Sequence, residues 1–360
     1  MSGLRIGIIG CGKVGDLHAV ALTELPEANF VAACDAQFSR AKQFADRYGA
    51  QPFDSLTEML KTAGLDAVMI CTPHPLHEEP TVAAAKAGVH VLVEKPLASS
   101  LKACDAMIRA AQDGNVKLGV VSQRRLFEPV QRMKAAIDAG KIGQPVLGTF
   151  SMFSWRDQAY YQSDPWRGKW ETEGGGVLVN QSPHQLDLLQ WFMGEIAEVS
   201  GYWGNLNHPY IEVEDTAVAN IRFRSGALGN LVTSLSQNPG IYTKVHVHGS
   251  NGASVGVQTD TGASFVAGMS EIADPPLNDV WSILGEEHLL SQFEQEDREH
   301  FQKINATQHY HTLQIQDFLQ AVLNDRDPMV TGEEGRVVVE LFTAIYRSNE
   351  LRRPIEFPLR

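Results

Sequence analysis

In Leu4-Arg-Ile-Gly-Ile-Ile-Gly10-Cys-Gly12-Lys13-Val14-Gly15 a short apolar run leads directly into G-x-G-x-x-G, and a helical pattern over residues 14–25 follows. A nearly continuous apolar run of six residues reads as a strand buried on both faces, the setting of a strand in a parallel sheet. The three glycines then have separate tasks. Gly10 permits a tight turn, Gly12 lets the backbone approach a pyrophosphate, and Gly15 lets the helix pack close to the strand. The helix N-terminus, with Lys13 and Val14 in its first turn, offers partial positive charge to the phosphates. A lone G-x-G-x-x-G is a weak signal. Here a strand precedes it, a helix follows it, and Asp35 ends the next apolar run 20 residues past Gly15, which together make it strong. Asp35 can accept from both hydroxyls of an adenosine ribose and would repel a 2′-phosphate, so NAD is favoured over NADP. Arg40, just beyond, is the residue that could hold that phosphate instead.

Downstream the same rhythm continues. Apolar runs at 4–9, 30–34, 67–71, 90–93 and 117–121 alternate with helical patterns at 39–48, 55–61, 77–87 and 101–112. Such alternation predicts an α/β, Rossmann-type doubly wound parallel sheet. After residue 121 the pattern changes. A helix over 129–139 precedes long candidate strands at 146–154, 198–205, 216–224, 227–235 and 242–249, interrupted by a helix over 177–193 and closed by helices over 312–323 and 335–349. Strands in runs with segregated helices predict an α+β domain with a large open, mainly antiparallel sheet. The expected domains are 1–124, nucleotide-binding, and 125–360, substrate-binding and oligomerising. Residues 263–300 are hard to assign, and the acidic stretch 286–299 reads as a solvated loop or face.

The chain has 360 residues, 43% hydrophobic and 20% charged, a globular composition of about two domains' length. Its net charge is -13, and the excess lies wholly in residues 126–360, with 17 basic against 30 acidic side chains. Nucleic-acid or anionic-membrane partners are therefore not expected. Cys11, Cys34, Cys71 and Cys104 form no C-x-x-C pair and no disulfide framework. With no apolar leader and no apolar run of membrane-spanning length, the expectation is a cytoplasmic protein.

Two further segments carry chemistry. Glu94-Lys95-Pro96 directly follows the run at 90–93, and ligands of doubly wound sheets sit beyond the carboxyl ends of strands, so Lys95 is expected at the cofactor. Thr72-Pro73-His74-Pro75-Leu76-His77 occupies the corresponding place after the run at 67–71, and reads as a helix start over the cofactor rather than a metal site. The second segment runs from Gly174-Gly175-Gly176 through Asn180 and His184 to Asp187. Asn180, His184 and Asp187 are four and three apart and share one helix face. A histidine sharing a face with Asn and Asp beside a triple glycine is a candidate acid–base group. Trp155-Arg156, Tyr160-Tyr161 and Trp166-Arg167 suit the apolar face and hydroxyls of a ring sugar. His246 and His248 share a strand face with no third ligand apparent, so no metal site is expected.

The glycine fingerprint, Thr72-Pro73 with His77, Glu94-Lys95-Pro96 and Gly174-Gly175-Gly176 with His184 resemble the glucose–fructose oxidoreductase, inositol dehydrogenase and rhizopine-catabolism (Gfo/Idh/MocA) family over nearly the whole chain. The resemblance implies NAD(P)-dependent hydride transfer on sugars, cyclitols and related polyols, with the substrate between Lys95 and His184. It also implies an open sheet that mediates homodimers or homotetramers, and a cis peptide between Lys95 and Pro96. Cofactor contacts are implied for Thr72, Pro73, His77, Glu94, Lys95, Gln123, Trp166 and Arg167, and substrate contacts for Lys95, Arg156, Tyr161, Asn180 and His184. One departure is chemical: the family pattern has Asp where this chain has Asn180, and an amide is no base near pH 7. His184 is then the expected base, and Lys95 the group that stabilises the alkoxide. A regulator that senses nucleotide without turnover and a glycosidase that retains its NAD are the competing functions.

Overall fold

From Ile6 onward strand β1 (Leu4–Ile9) is buried, because parallel partners flank it on both edges. The computed structural model describes residues 3–260 and 275–359. From β1 the chain continues through α1 (Lys13–Glu24), β2 (Ala28–Cys34), α2 (Phe38–Tyr48), β3 (Gln51–Phe53), α3 (Leu56–Thr62), β4 (Ala67–Ile70), α4 (Glu78–Lys86), β5 (His90–Val93), α5 (Leu101–Asp113) and β6 (Leu118–Val120). The six strands form one parallel sheet in the order β3-β2-β1-β4-β5-β6, the doubly wound arrangement expected of the sequence. The order reverses between β1 and β4, so the glycine turn after β1 sits at the topological switch point. Strand β3 was not among the expected runs. Its three residues include Pro52 and lie at the sheet edge, where a missing N–H is tolerated and no periodicity can register.

Next come α6 (Glu128–Asp138), β7 (Pro145–Phe153), α7 (Gln158–Gln162), α8 (Trp170–Glu173) and α9 (Pro183–Met193). They lead into β8 (Ile196–Gly204), β9 (Thr216–Phe223), β10 (Leu228–Ser234), β11 (Tyr242–Gly249), β12 (Ser254–Asp260), β13 (Leu277–Trp281) and α10 (Leu289–Phe301). Helices α11 (Ala306–Leu323) and α12 (Gly332–Leu351) and strand β14 (Ile355–Glu356) close the chain. The second sheet has eight strands in the order β13-β12-β11-β7-β10-β9-β8-β14, antiparallel except for the β7–β10 pair. One face is covered. Helix α9 lies on β7 at Gly148, where any Cβ would meet Met193 and Leu189 within 3.0 Å. The other face is open: β9 alternates buried and exposed residues along its length, and Val218, Tyr202 of β8 and Val232 of β10 stand in register there.

Three expectations need correction. The stretch 286–299 is not a loop: α10 spans most of it, with Asp297 and Phe301 buried. Arg132 draws Asp297 inward with two hydrogen bonds of 3.1 and 3.0 Å and stacks over Phe293, so only the outer face is the solvated acidic one. Strands β12 and β13 were not assigned; residues 261–274 between them lie outside the described residues. The helix expected over 177–193 is a π-helical turn, Val177–Gln181, followed by α9, because Pro183 has no N–H to continue the ladder.

By contacts the chain divides into two units, one of residues up to Gln123 together with Thr307–Val339, the other of Arg124–Ala306 with the residues from Glu340. The sequence reading left everything after residue 124 in the second domain. The return has a physical cause: Ile315, Phe318 and Leu319 of α11 belong to the same buried cluster as Ile6, Ile8 and Leu92 of the first sheet.

Candidate active site

In the first unit the glycine turn has the geometry that its three roles require. Gly10 has φ +98°, and a Cβ there would come within 2.7 Å of the Cys71 carbonyl group. At Gly15 a Cβ would overlap the Gly10 carbonyl oxygen, so helix and strand could not close on each other. At Gly12, the N-cap of α1, a Cβ would meet nothing within 4 Å. That open space in front of a helix N-terminus fits a dinucleotide's phosphates. Asp35, at the end of β2, is held in place by the backbone N–H groups of Cys11 at 3.1 Å and Gln37 at 2.9 Å. The half-exposed Arg40 guanidinium lies 3.6 Å from it.

The turn after β5 is anchored from below. The Lys95–Pro96 peptide is cis. Glu94 is buried and accepts from His18 Nε2 at 2.8 Å and from the Lys95 backbone N–H at 3.2 Å, with His311 Nε2 3.8 Å away. Burial alone would push its carboxyl up, but the His18 hydrogen bond and the charges of His18, His311 and Lys95 outweigh it and hold Glu94 at about 2. His77 has no exposed surface. Its Nδ1 faces the Pro96 and Leu97 carbonyls at 3.1 and 3.2 Å, and its Nε2 faces the Thr72 carbonyl at 2.9 Å. Burial lowers its pKa, while the hydrogen bonds to these carbonyls raise it. Glu94 and His77 were expected as cofactor contacts. In this structure both are internal clasps: they fix the turns that present Thr72, Pro73 and Lys95, and His77 offers no surface for a ligand. Gln123 ends the first stretch of this unit in a short turn, nine-tenths buried.

In the second unit the glycine run is a seat for other parts of the protein. A Cβ at Gly175 would strike Tyr346 and Val179, and one at Gly176 would overlap the Glu214 backbone. The π-helical turn that follows carries Asn180, a geometry that recurs at functional sites. Asn180 Nδ2 donates to Glu173 Oε1 and, at 3.3 Å, to the Tyr160 hydroxyl. Glu173 is buried and also accepts from the Gly168 N–H at 2.5 Å. Tyr160 in turn accepts from Arg167 Nη1 at 2.5 Å and Gln181 Nε2 at 3.0 Å. Arg167 stacks over Trp166 and pairs with Asp164 at 3.2 Å. Asp187 gives both oxygens to Arg125, at 2.8 and 2.6 Å. His184, near the start of α9, is buried.

The aromatic–arginine segment is likewise fixed. Arg156 Nη1 donates to the Trp155 carbonyl at 2.7 Å and to Ser154 Oγ at 3.2 Å, and its guanidinium lies over Tyr160. Tyr161 is buried edge-on to Tyr160, and burial pushes its phenol well up. Behind them His208 bridges the Arg156 carbonyl at 2.8 Å and Asp215 at 2.7 Å. The structure thus joins Asn180, Tyr160 and Arg167 in one network, with Arg156 and Tyr161 packed on Tyr160. Sequence reasoning missed Glu173, Glu214, His18 and His311. The only local hint was the acidic pair Glu214-Asp215 directly before a strand.

Residues 4–122 match the family model described as an oxidoreductase family with an NAD-binding Rossmann fold, and residues 130–255 match that of the GFO/IDH/MocA C-terminal domain. The chain is 28% identical to a myo-inositol 2-dehydrogenase of Thermotoga maritima over 98% of both chains. It is 27% identical to an NAD(+) scyllo-inositol 2-dehydrogenase of Bacillus subtilis, over 99% of this chain and 97% of that one. A solved structure of the WlbA dehydrogenase of Bordetella pertussis, in complex with NADH and UDP-GlcNAcA, superposes with a TM-score of 0.83 at 30% identity, covering 99% of this chain and 100% of that one.

Proposed function

Since the chain belongs to the Gfo/Idh/MocA family of oxidoreductases with an NAD-binding Rossmann domain, we propose that it oxidises a secondary hydroxyl of a pyranose sugar, sugar derivative or cyclitol. NAD supplies the hydride acceptor when bound. The glycine turn cradles its phosphates, Asp35 takes the ribose hydroxyls, and Arg40 lies where a 2′-phosphate would be met. Lys95 places a positive charge on the oxygen that becomes an alkoxide. His184 takes the hydroxyl proton on its neutral imidazole, and Asn180, oriented by Glu173, holds a substrate hydroxyl. The observation that carries this reading is the anchored Glu94–Lys95 turn at the carboxyl end of β5, two strands from the glycine turn in the sheet order. The substrate class is supported by the inositol dehydrogenases that the chain resembles.

We further propose a homodimer or homotetramer built on the open sheet face, supported by exposed Tyr202, Val218 and Leu228. The four unpaired cysteines are in keeping with a reducing, cytoplasmic setting, and no helix among the described residues is long and apolar enough to cross a membrane. The test is NADH formation on a panel of inositols, pyranosides and nucleotide-linked sugar acids. At least one is expected to turn over, and His184→Ala should lower that turnover by about 10²–10⁴ while leaving NAD affinity intact. No turnover anywhere on the panel refutes the reading, and a variant keeping more than about a tenth of wild-type turnover removes His184 as base.

A further inference from the structure

We propose that Glu214 is a positioning residue: as a carboxylate it seats the segment that carries Asn180 and His184, and turnover follows its ionisation. Glu214 precedes β9 and is wholly buried. Its Oε2 accepts from the Gly176 N–H at 2.9 Å, and its Oε1 accepts from the Leu178 N–H at 2.9 Å and from the Tyr346 hydroxyl at 2.8 Å. Its own carbonyl accepts from the Val177 N–H at 3.0 Å. Three consecutive N–H groups at the start of the π-helical turn, which have no partner within that turn, are therefore all taken by one residue. Gly176 is required by this contact: any side chain there would displace the Glu214 backbone.

All three partners donate to the side chain, and the anion accepts from all of them with no O–H of its own to place. A protonated carboxyl would turn an O–H toward a neighbour that can only donate, or that must give up its own bond to accept it. No cation pairs with Glu214 among the described residues. The other titratable groups nearby are the buried Glu173, which accepts from Asn180, Tyr346, whose phenol is pushed up by burial and by Glu214 and Glu173, and Asp215, which is turned to His208. Burial raises the Glu214 carboxyl, its three hydrogen bonds pull it back, and the balance falls at about 7. The seat is complete when Glu214 is ionised, and protonation loosens it. Asn180 lies within the seated turn and His184 just beyond it, so loosening the turn displaces the groups proposed to touch the substrate.

This rests on the proposed roles of Asn180 and His184, so the experiment has one readout that needs no activity. Deuterium exchange at the Gly176 and Leu178 amides, corrected for its intrinsic pH dependence, should show protection lost below about pH 7 in the wild type. With an active substrate, two ionisations, those of His184 and Glu214, should govern the acid side of the oxidation profile. Glu214→Gln should leave one of them and lower kcat at pH 8 by about tenfold or more, with NAD affinity unchanged. Tyr346→Phe removes one donor to the anion and should move the Glu214 ionisation up by about one pH unit. Protection that ignores pH overturns the proposal, whatever the activity. So does a profile unmoved in both variants, even if kcat falls, since that is the mark of a purely structural residue. If protection follows pH but no substrate turns over, the seat stands and the reading of the reaction fails.

Discussion

At Asp35 two backbone N–H groups fix a carboxylate at the end of β2, leaving its remaining lone pairs to a ligand. A hydrogen bond to a charged group contributes about 1.5–3 kcal/mol, so Asp35→Ser should weaken NAD binding by more than about tenfold. The same change removes the repulsion of a 2′-phosphate and leaves Arg40 without its carboxylate, so NADP binding should improve. Titration of wild type and variant with both nucleotides checks this; a wild type that binds NADP more tightly contradicts it. The places of Asp35 after β2 and of Lys95 after β5 were legible in the sequence because a fixed offset from a glycine turn or a strand end sets them. Glu173 was not: nothing in the spacing of residues 173 and 180 says that a buried carboxylate will orient the Asn180 amide. The setting of the His77 ring was not legible for a related reason. Its position after β4 is that of a ligand contact, but which way the ring turns depends on the Pro96 and Leu97 carbonyls, some 20 residues away.

Between β5 and α5 the Glu94–Lys95 turn is held by a buried carboxylate from one strand and two histidines from α1 and α11. Because the folded Glu94 is held at about 2, below its ordinary 4.5, its contribution to stability is complete above about pH 4.5. It is lost as pH falls from there toward 2. Chemical denaturation of wild type and Glu94→Gln across this range should show their difference shrinking as pH falls; a constant difference contradicts the assignment. Elements with a clean period were readable, β5 to the residue. The π-helical turn was not, since hydrophobic spacing cannot separate a five-residue π turn from α-helix and only Pro183 marks the break. Helix α10 was hidden by its charge: of the fourteen residues 286–299 six are acidic and one is arginine, and the buried Asp297 is legible only with Arg132 in view.

Over the whole molecule, the two-domain plan follows from strand–helix alternation giving way to long strands. The return of Thr307–Val339 to the first unit does not, because a helical period says which face is apolar and not which core receives it. Phe318 shows the consequence: it is 1% exposed in the cluster of the first sheet, against Gly119. Phe318→Ala should cost about 3–5 kcal/mol of stability, read as the denaturation of the nucleotide-binding unit, and added NAD should recover part of it. A variant as stable as wild type would contradict the placement of α11. The central claim is that a hydride leaves a carbinol carbon and is released as reduced nucleotide. Its most direct test is a substrate from the active class deuterated at that carbon, with the nucleotide product examined by mass spectrometry. The account predicts one deuterium in each NADH formed, in step with the oxidised product. Product appearing without labelled NADH accumulating, as when the cofactor is reduced only transiently, would contradict it.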